Sequence, residues 1–140
     1  MTVEENKALV RRWNDEIWCK GNVDAADEFM STNYVFNWAA PGMTSDRDGY
    51  KKAVAMQFAA FPDLRVTIDD MIAEGDKVVI RWTGNSTHKN EFMGIAPTNK
   101  KVKMTGISIV RIAGGKIMEE WSEMDMMGMM QQLGMFPPPP

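Results

Sequence analysis

"LRVTIDDMIAEGDKVVIRWTGNSTH", residues 64–88, decides the fold. Apolar and polar residues alternate on both sides of "EGDK" (74–77), and a period of two marks strands rather than helix. Gly-Asp between two such runs is a hairpin turn, so the chain here doubles back as an antiparallel pair. Downstream, "KKVKMTGISIVRIAGGKIMEEWSEMD" (100–125) adds two more strands hinged at "AGGK".

Upstream the period lengthens. "VEENKALVRRWNDEIWCKG" (3–21) sets Ala8, Leu9, Trp13, Ile17 and Trp18 on one helical stripe ended by Gly21. A second helix is expected in "NVDAADEFMS" (22–31), capped by Asn22 or Asp24. "NYVFNWAAPG" (33–42) reads as a β-rich aromatic segment stopped by Pro41-Gly42. A third helix starts near Ser45 or Asp46 and breaks at Pro62. The tail "MMGMMQQLGMF" (126–136) reads as a short apolar turn or helix, and 137–140 as a polyproline stub past the end of the fold. Helices followed by hairpins predict one α+β domain over 1–136, with helices on one side of a curved sheet. Such a sheet leaves an apolar hollow at one end, where a small molecule would go.

Composition removes several function classes. The chain has 140 residues and a net charge of −3, where nucleic acid or an anionic membrane normally demands excess Lys and Arg. No apolar run is long enough to span a bilayer, and the charged, amphipathic start argues for a cytoplasmic protein. One His and one Cys make a zinc site improbable. Cys19 has no His near it in sequence and reads better as a small buried residue than as a thiolate nucleophile. "GG" at 114–115 lacks the Lys-Ser/Thr of a phosphate loop, so neither metal nor nucleotide cofactor is expected.

The last strand holds the candidate acids. In "GKIMEEWSEMD" (115–125) strict alternation puts Ile117, Glu119, Trp121, Glu123 and Asp125 on one face, and Met118, Glu120, Ser122 and Met124 on the other. The first face is either a solvated charged face or the wall of the hollow. In the hollow, desolvation and mutual repulsion would raise carboxylate pKa values toward neutrality, which suits proton transfer at carbon. His88 is either an exposed turn residue or a helper oriented by Glu91. Asn37 and Trp38 would supply an amide hydrogen bond and an aromatic wall, or simply pack. The 14 methionines suit core or subunit-interface packing as well as a greasy ligand wall.

Five motifs recur together in order: "FPDLR" (61–65), "EGDKV" (74–78), "TH..EFMGI.PT.K.V" (87–102), "GKI.EEW...D" (115–125) and "QQLG" (131–134). With them, the chain resembles the SnoaL-like polyketide cyclase (ester cyclase) family over 59–134. The resemblance implies the nuclear-transport-factor-2-like, or cystatin-like, α+β barrel: a cone-shaped curved mixed sheet wrapped around three N-terminal helices, often dimerising through the sheet. It also implies cofactor-free chemistry on a small hydrophobic or polyketide-like molecule, in which an acid drives an intramolecular aldol condensation. Asp125, after the tryptophan of the last strand, is the position carried over as that acid, and His88 matches the family's His. On this reading Asp125 and His88 are catalytic, and Asn37, Trp38, Glu119, Trp121, Met124 and Arg111 surround the substrate. Asn37-Trp38 departs from the His and small polar residue common there, and Met replaces the usual leucines before "QQLG".

Two rival readings keep the fold. Hydration or epoxide opening needs an Arg, Arg81 or Arg111, aimed between two acids in the hollow. A non-catalytic binding or dimerisation module leaves Glu119, Glu123 and Asp125 facing solvent.

Overall fold

The computed structural model describes residues 1–38 and 42–135. The expected polyproline stub at 137–140 lies outside the described residues. Helix α1 (Val3–Asn14) opens on a capping box: the Thr2 hydroxyl accepts from Glu5 N and the Glu5 carboxylate accepts from Thr2 N. It buries Asn6, Leu9, Val10, Trp13 and Asn14, one helical stripe, and runs on through a π-helical turn (Asp15–Cys19) that buries Ile17.

The second helix is shorter than the sequence suggested. Val23–Ala25 is a 3-10 turn and only Ala26–Phe29 (α2) is α-helical, ending where Met30 is taken into strand β1 (Met30–Phe36) and pairs with Ile117. Asp46 caps α3 (Arg47–Ala60), accepting from Gly49 N at 2.8 Å.

Strands β2 (Arg65–Glu74), β3 (Lys77–Thr87), β4 (Lys101–Ala113) and β5 (Lys116–Met124) follow as hairpins, and α4 (Met126–Gln132) closes the chain. The sheet order is β1-β5-β4-β3-β2, antiparallel except for the parallel β1–β5 pair. The result is the curved mixed sheet with three N-terminal helices that the sequence predicted. The β4–β5 turn places Gly114 and Gly115 at φ +60° and +75°, the two positive values that a tight two-residue hairpin needs.

One face of the sheet packs on α1–α3. Leu9, Val10, Trp13, Ile17, Tyr34, Tyr50, Val78, Val110 and Ile117 form its core. A second cluster, Ala60, Phe61, Phe92, Val102, Met129 and Leu133, ties α3 and α4 to the loop at 88–100. Among the described residues no helix is long and apolar enough to cross a membrane.

Candidate active site

Strand β5 does not alternate as its sequence suggests. Arg111 pairs with Glu119, but the next residue, Ile112, pairs with Ile117, so Met118 is an extra residue in β5. Such a bulge reverses the parity of everything beyond it. Ile117 therefore shares the inner face with Glu120 and Ser122, all three buried, whereas Glu119, Trp121 and Glu123 turn outward. The sequence-based face assignment is corrected accordingly: the desolvated carboxylate expected at Asp125 stands at Glu120.

Glu120 is 4% exposed and fully hydrogen-bonded. Tyr34 donates to Oε1 at 3.0 Å and Ser122 to Oε2 at 2.9 Å. Ser108 Oγ lies 2.7 Å from Ser122 Oγ and accepts from Trp82 Nε1 at 3.0 Å. An indole can only donate, so the hydroxyls orient in sequence: Trp82 to Ser108, Ser108 to Ser122, Ser122 to the carboxylate. Burial drives the Glu120 pKa upward and these hydrogen bonds hold it back, leaving it raised to about 7. Tyr34, desolvated and facing the carboxylate, has its pKa pushed far up and stays a neutral donor.

Aromatic rings connect this centre to the surface. Tyr34 meets Tyr50 edge-on at 5.4 Å, Tyr50 meets Phe36 at 5.4 Å, and Phe36 lies 6.4 Å from Trp38, which is 37% exposed. Trp18 Nε1 donates to the Tyr50 hydroxyl at 2.8 Å. Close packing also explains Gly106: a Cβ there would come within 2.3 Å of the Trp82 ring and disturb the indole that starts the hydrogen-bond relay.

The other sequence candidates separate into three places. Asn37 clamps the backbone of Glu120: its N–H and its Nδ2 both donate to Glu120 O, at 2.9 and 3.1 Å, while Nδ2 also reaches Glu119 Oε2 at 3.0 Å. Arg111 pairs with Glu119 at 3.4 Å on the outer face, so these two lie together but away from the buried acid. Trp121 sits outward opposite Ile109, and Met124, opposite Gly106, falls on the Ser122 side of β5. Asp125 is exposed and caps α4, its Oδ1 accepting from Gly128 N at 2.9 Å.

His88 is neither exposed nor paired with Glu91. It is fully buried beside Phe61, with ring centroids 5.4 Å apart, while Glu91 is exposed. Its Nδ1 accepts from Thr98 N at 3.2 Å, so the proton resides on Nε2. Its main chain bonds Lys100 and Asn99, pinning both ends of the 88–100 loop to the second cluster rather than to Glu120.

Arg81, the other candidate guanidinium, pairs outward with Asp70 at 2.7 Å. Two surface clefts, of about 360 and 250 Å³, include neither Glu120 nor His88. Among the described residues no group of three or more His, Cys, Asp or Glu is placed to hold a metal ion.

Solved structures with this architecture cover nearly the whole chain. A protein of Acidithiobacillus ferrooxidans, provisionally designated a polyketide cyclase, is 31% identical, covering 96% of this chain and 98% of that one at a TM-score of 0.83. IdmH of Streptomyces antibioticus, with the same provisional designation, is 28% identical, with 92% and 98% covered and a TM-score of 0.81. AclR of Streptomyces galilaeus, provisionally a hydroxylase, is 28% identical, with 99% and 91% covered and a TM-score of 0.88. No curated protein matches the sequence. The model of one family spans residues 8–133, from within α1 through α4 and including every residue of the Glu120 network, and the chain belongs to that family, the SnoaL-like polyketide cyclases.

Proposed function

We propose that the protein is a cofactor-free cyclase acting on a small polyketide-like molecule, with Glu120 as its general acid/base. The observation that carries the reading is a buried carboxylate whose pKa is raised to about 7, held only by neutral donors. A group poised there is half ionised near neutral pH, where it both takes and returns a proton efficiently. Glu120 removes a proton from carbon next to a carbonyl, and the C–H electron pair becomes the enolate. The enolate carbon attacks a second carbonyl of the same molecule, and the resulting alkoxide takes the proton back from Glu120. Holding both carbonyls in one site supplies the orientation. Substrate reaches the acid along the Trp38–Phe36–Tyr50 ladder, with those rings giving way. Arg81 and Arg111 pair outward, so the hydratase and epoxide-opening alternative lacks its guanidinium.

The test is deuterium incorporation from D2O into the α-carbon of β-tetralone, a bicyclic ketone whose enolisation is the first half of the proposed reaction. The wild-type protein should catalyse it; no catalysis would refute the reading. Asp125 provides the internal comparison. Asp125→Asn retains a side chain that can cap α4, so folding should be intact and exchange within about threefold of wild type, since surface changes usually matter little. A collapse of exchange in Asp125→Asn would return the acid/base role to Asp125.

We further propose that the chain works as a homodimer through its outer sheet face. Ile72, Val79, Ile109 and Trp121 are opposed residue to residue across β2–β5, forming one apolar row. Ile72 is 67% exposed, and the adjacent Ile107 is 51% exposed. Charged rows flank it, Asp70–Arg81 on one side and Arg111–Glu119 on the other, the layout of an apolar interface centre with a polar rim. Ile109→Glu should shift the sedimenting species from dimer to monomer with the circular dichroism unchanged. A wild-type monomer at micromolar concentration would contradict the dimer.

A further inference from the structure

Four buried polar side-chain atoms among the described residues have no hydrogen-bond partner, and one of them is Trp13 Nε1. Three indoles pack in the main core: Trp18 donates to Tyr50, Trp82 donates to Ser108, and Trp13 donates to nothing. Trp13 is 1% exposed and stacks on Tyr50 at 6.3 Å and 25°, and Tyr50 in turn meets Tyr34, the ring bonded to Glu120. Burying an N–H without an acceptor is destabilising, and a Phe would fill the same position on the α1 stripe without that cost. The Trp13 N–H is therefore a donor free for an acceptor that arrives from outside.

We propose that Trp13 Nε1–H is the hydrogen-bond donor to the substrate oxygen that becomes the enolate. The inference rests on the Glu120 reading and adds the second half of its charge balance. When Glu120 takes the proton it becomes neutral, and the negative charge passes to the enolate oxygen. A fixed N–H in a water-poor site stabilises that oxygen more than it stabilises the neutral carbonyl before reaction. Trp13 thereby favours substrates whose reacting carbonyl is part of a flat, conjugating system that can lie beside the Trp13–Tyr50 stack.

The probe is para-nitrophenolate, a planar oxyanion whose ionisation is visible by absorbance. In the full-length wild-type protein its binding should move the Trp13 indole N–H resonance downfield, while those of Trp18 and Trp82, already bonded, shift less. Trp13→Phe should weaken phenolate binding about tenfold or more, as expected for one hydrogen bond to a charged group. It should slow β-tetralone exchange roughly 100-fold with little change in KM. Glu120→Gln, which mimics the protonated acid, should bind the phenolate at least as tightly as wild type while losing exchange. An unmoved Trp13 resonance, or no phenolate binding at all, overturns the inference. Should Trp13→Phe not fold, the wild-type spectrum decides alone. Loss of exchange in Glu120→Gln with an unmoved Trp13 resonance refutes the donor and leaves the acid standing. Exchange retained in Glu120→Gln refutes the acid.

Discussion

Glu120→Gln is expected to lower the rate of α-deuterium exchange by roughly 100- to 10,000-fold, the usual contribution of a general acid/base. The same substitution should make the protein more stable at alkaline pH. Glu120 has an ordinary value near 4.5 when unfolded and about 7 when folded, so the folded state binds more protons between those values. Its contribution to stability is complete below pH 4.5 and is lost as pH rises through 7. The loss is on the order of 3 kcal/mol at about 1.4 kcal/mol per pKa unit, and the uncharged amide does not incur it. Gln keeps an oxygen to accept from Tyr34 or Ser122, so the network retains most of its bonds. Urea denaturation of both proteins at pH 5 and pH 8 measures this: the variant should gain on wild type between the two. A constant difference would mean that the carboxylate titrates normally, and the mechanism would lose its base.

Phe61→Ala should lower the unfolding free energy by about 3–5 kcal/mol, the range for truncating a buried aromatic residue. Phe61 is 2% exposed and meets Phe92 at 5.1 Å and His88 at 5.4 Å. Next to it, Ala60 O accepts from both Lys89 N and Asn90 N, and Ala59 O from Asn90 Nδ2, so the loop at 88–100 begins on the C-terminal end of α3. Removing the ring hollows out the cluster that fixes the loop, against a typical total stability of about 5–15 kcal/mol. Urea midpoints give the size of the loss, and faster amide exchange in 88–100 should accompany it. A loss under about 1 kcal/mol would mean that the loop is held by its backbone bonds alone.

These two sites also mark where the sequence was readable and where it was not. The hairpins at "EGDK" and "AGGK" follow from local periodicity; the α1 stripe follows in part, since Leu9, Trp13 and Ile17 are buried as expected while Ala8 is exposed and Val10 is buried. The family motifs supplied the mixed sheet and its helices. The identity of the buried acid was not legible, because "IMEEW" offers two adjacent glutamates and only the extra residue at Met118 decides between them. That bulge is a property of pairing with β4 and leaves no mark within β5 itself.

The sequence does carry a signal for the role of Asp125. Asp125 immediately precedes the apolar run "MMGMM", the position of a helix cap, and capping is what it does. The burial of His88 is hidden from the sequence for another reason. Its neighbours in sequence are polar, but Phe61 and Thr98 cover it from 27 and 10 residues away, and local composition carries no information about such contacts. The second helix lost its end to β1, since pairing with β5 outweighs the modest helical preference of Met30.

The measurement that bears most directly on Glu120 is the pH profile of β-tetralone exchange by the wild-type protein, with Glu120→Gln and Asp125→Asn run alongside. The account expects kcat/KM to rise with pH through a single inflection near 7, kept by Asp125→Asn and absent in Glu120→Gln. An inflection near 4, or a profile that survives unchanged in Glu120→Gln, would contradict it.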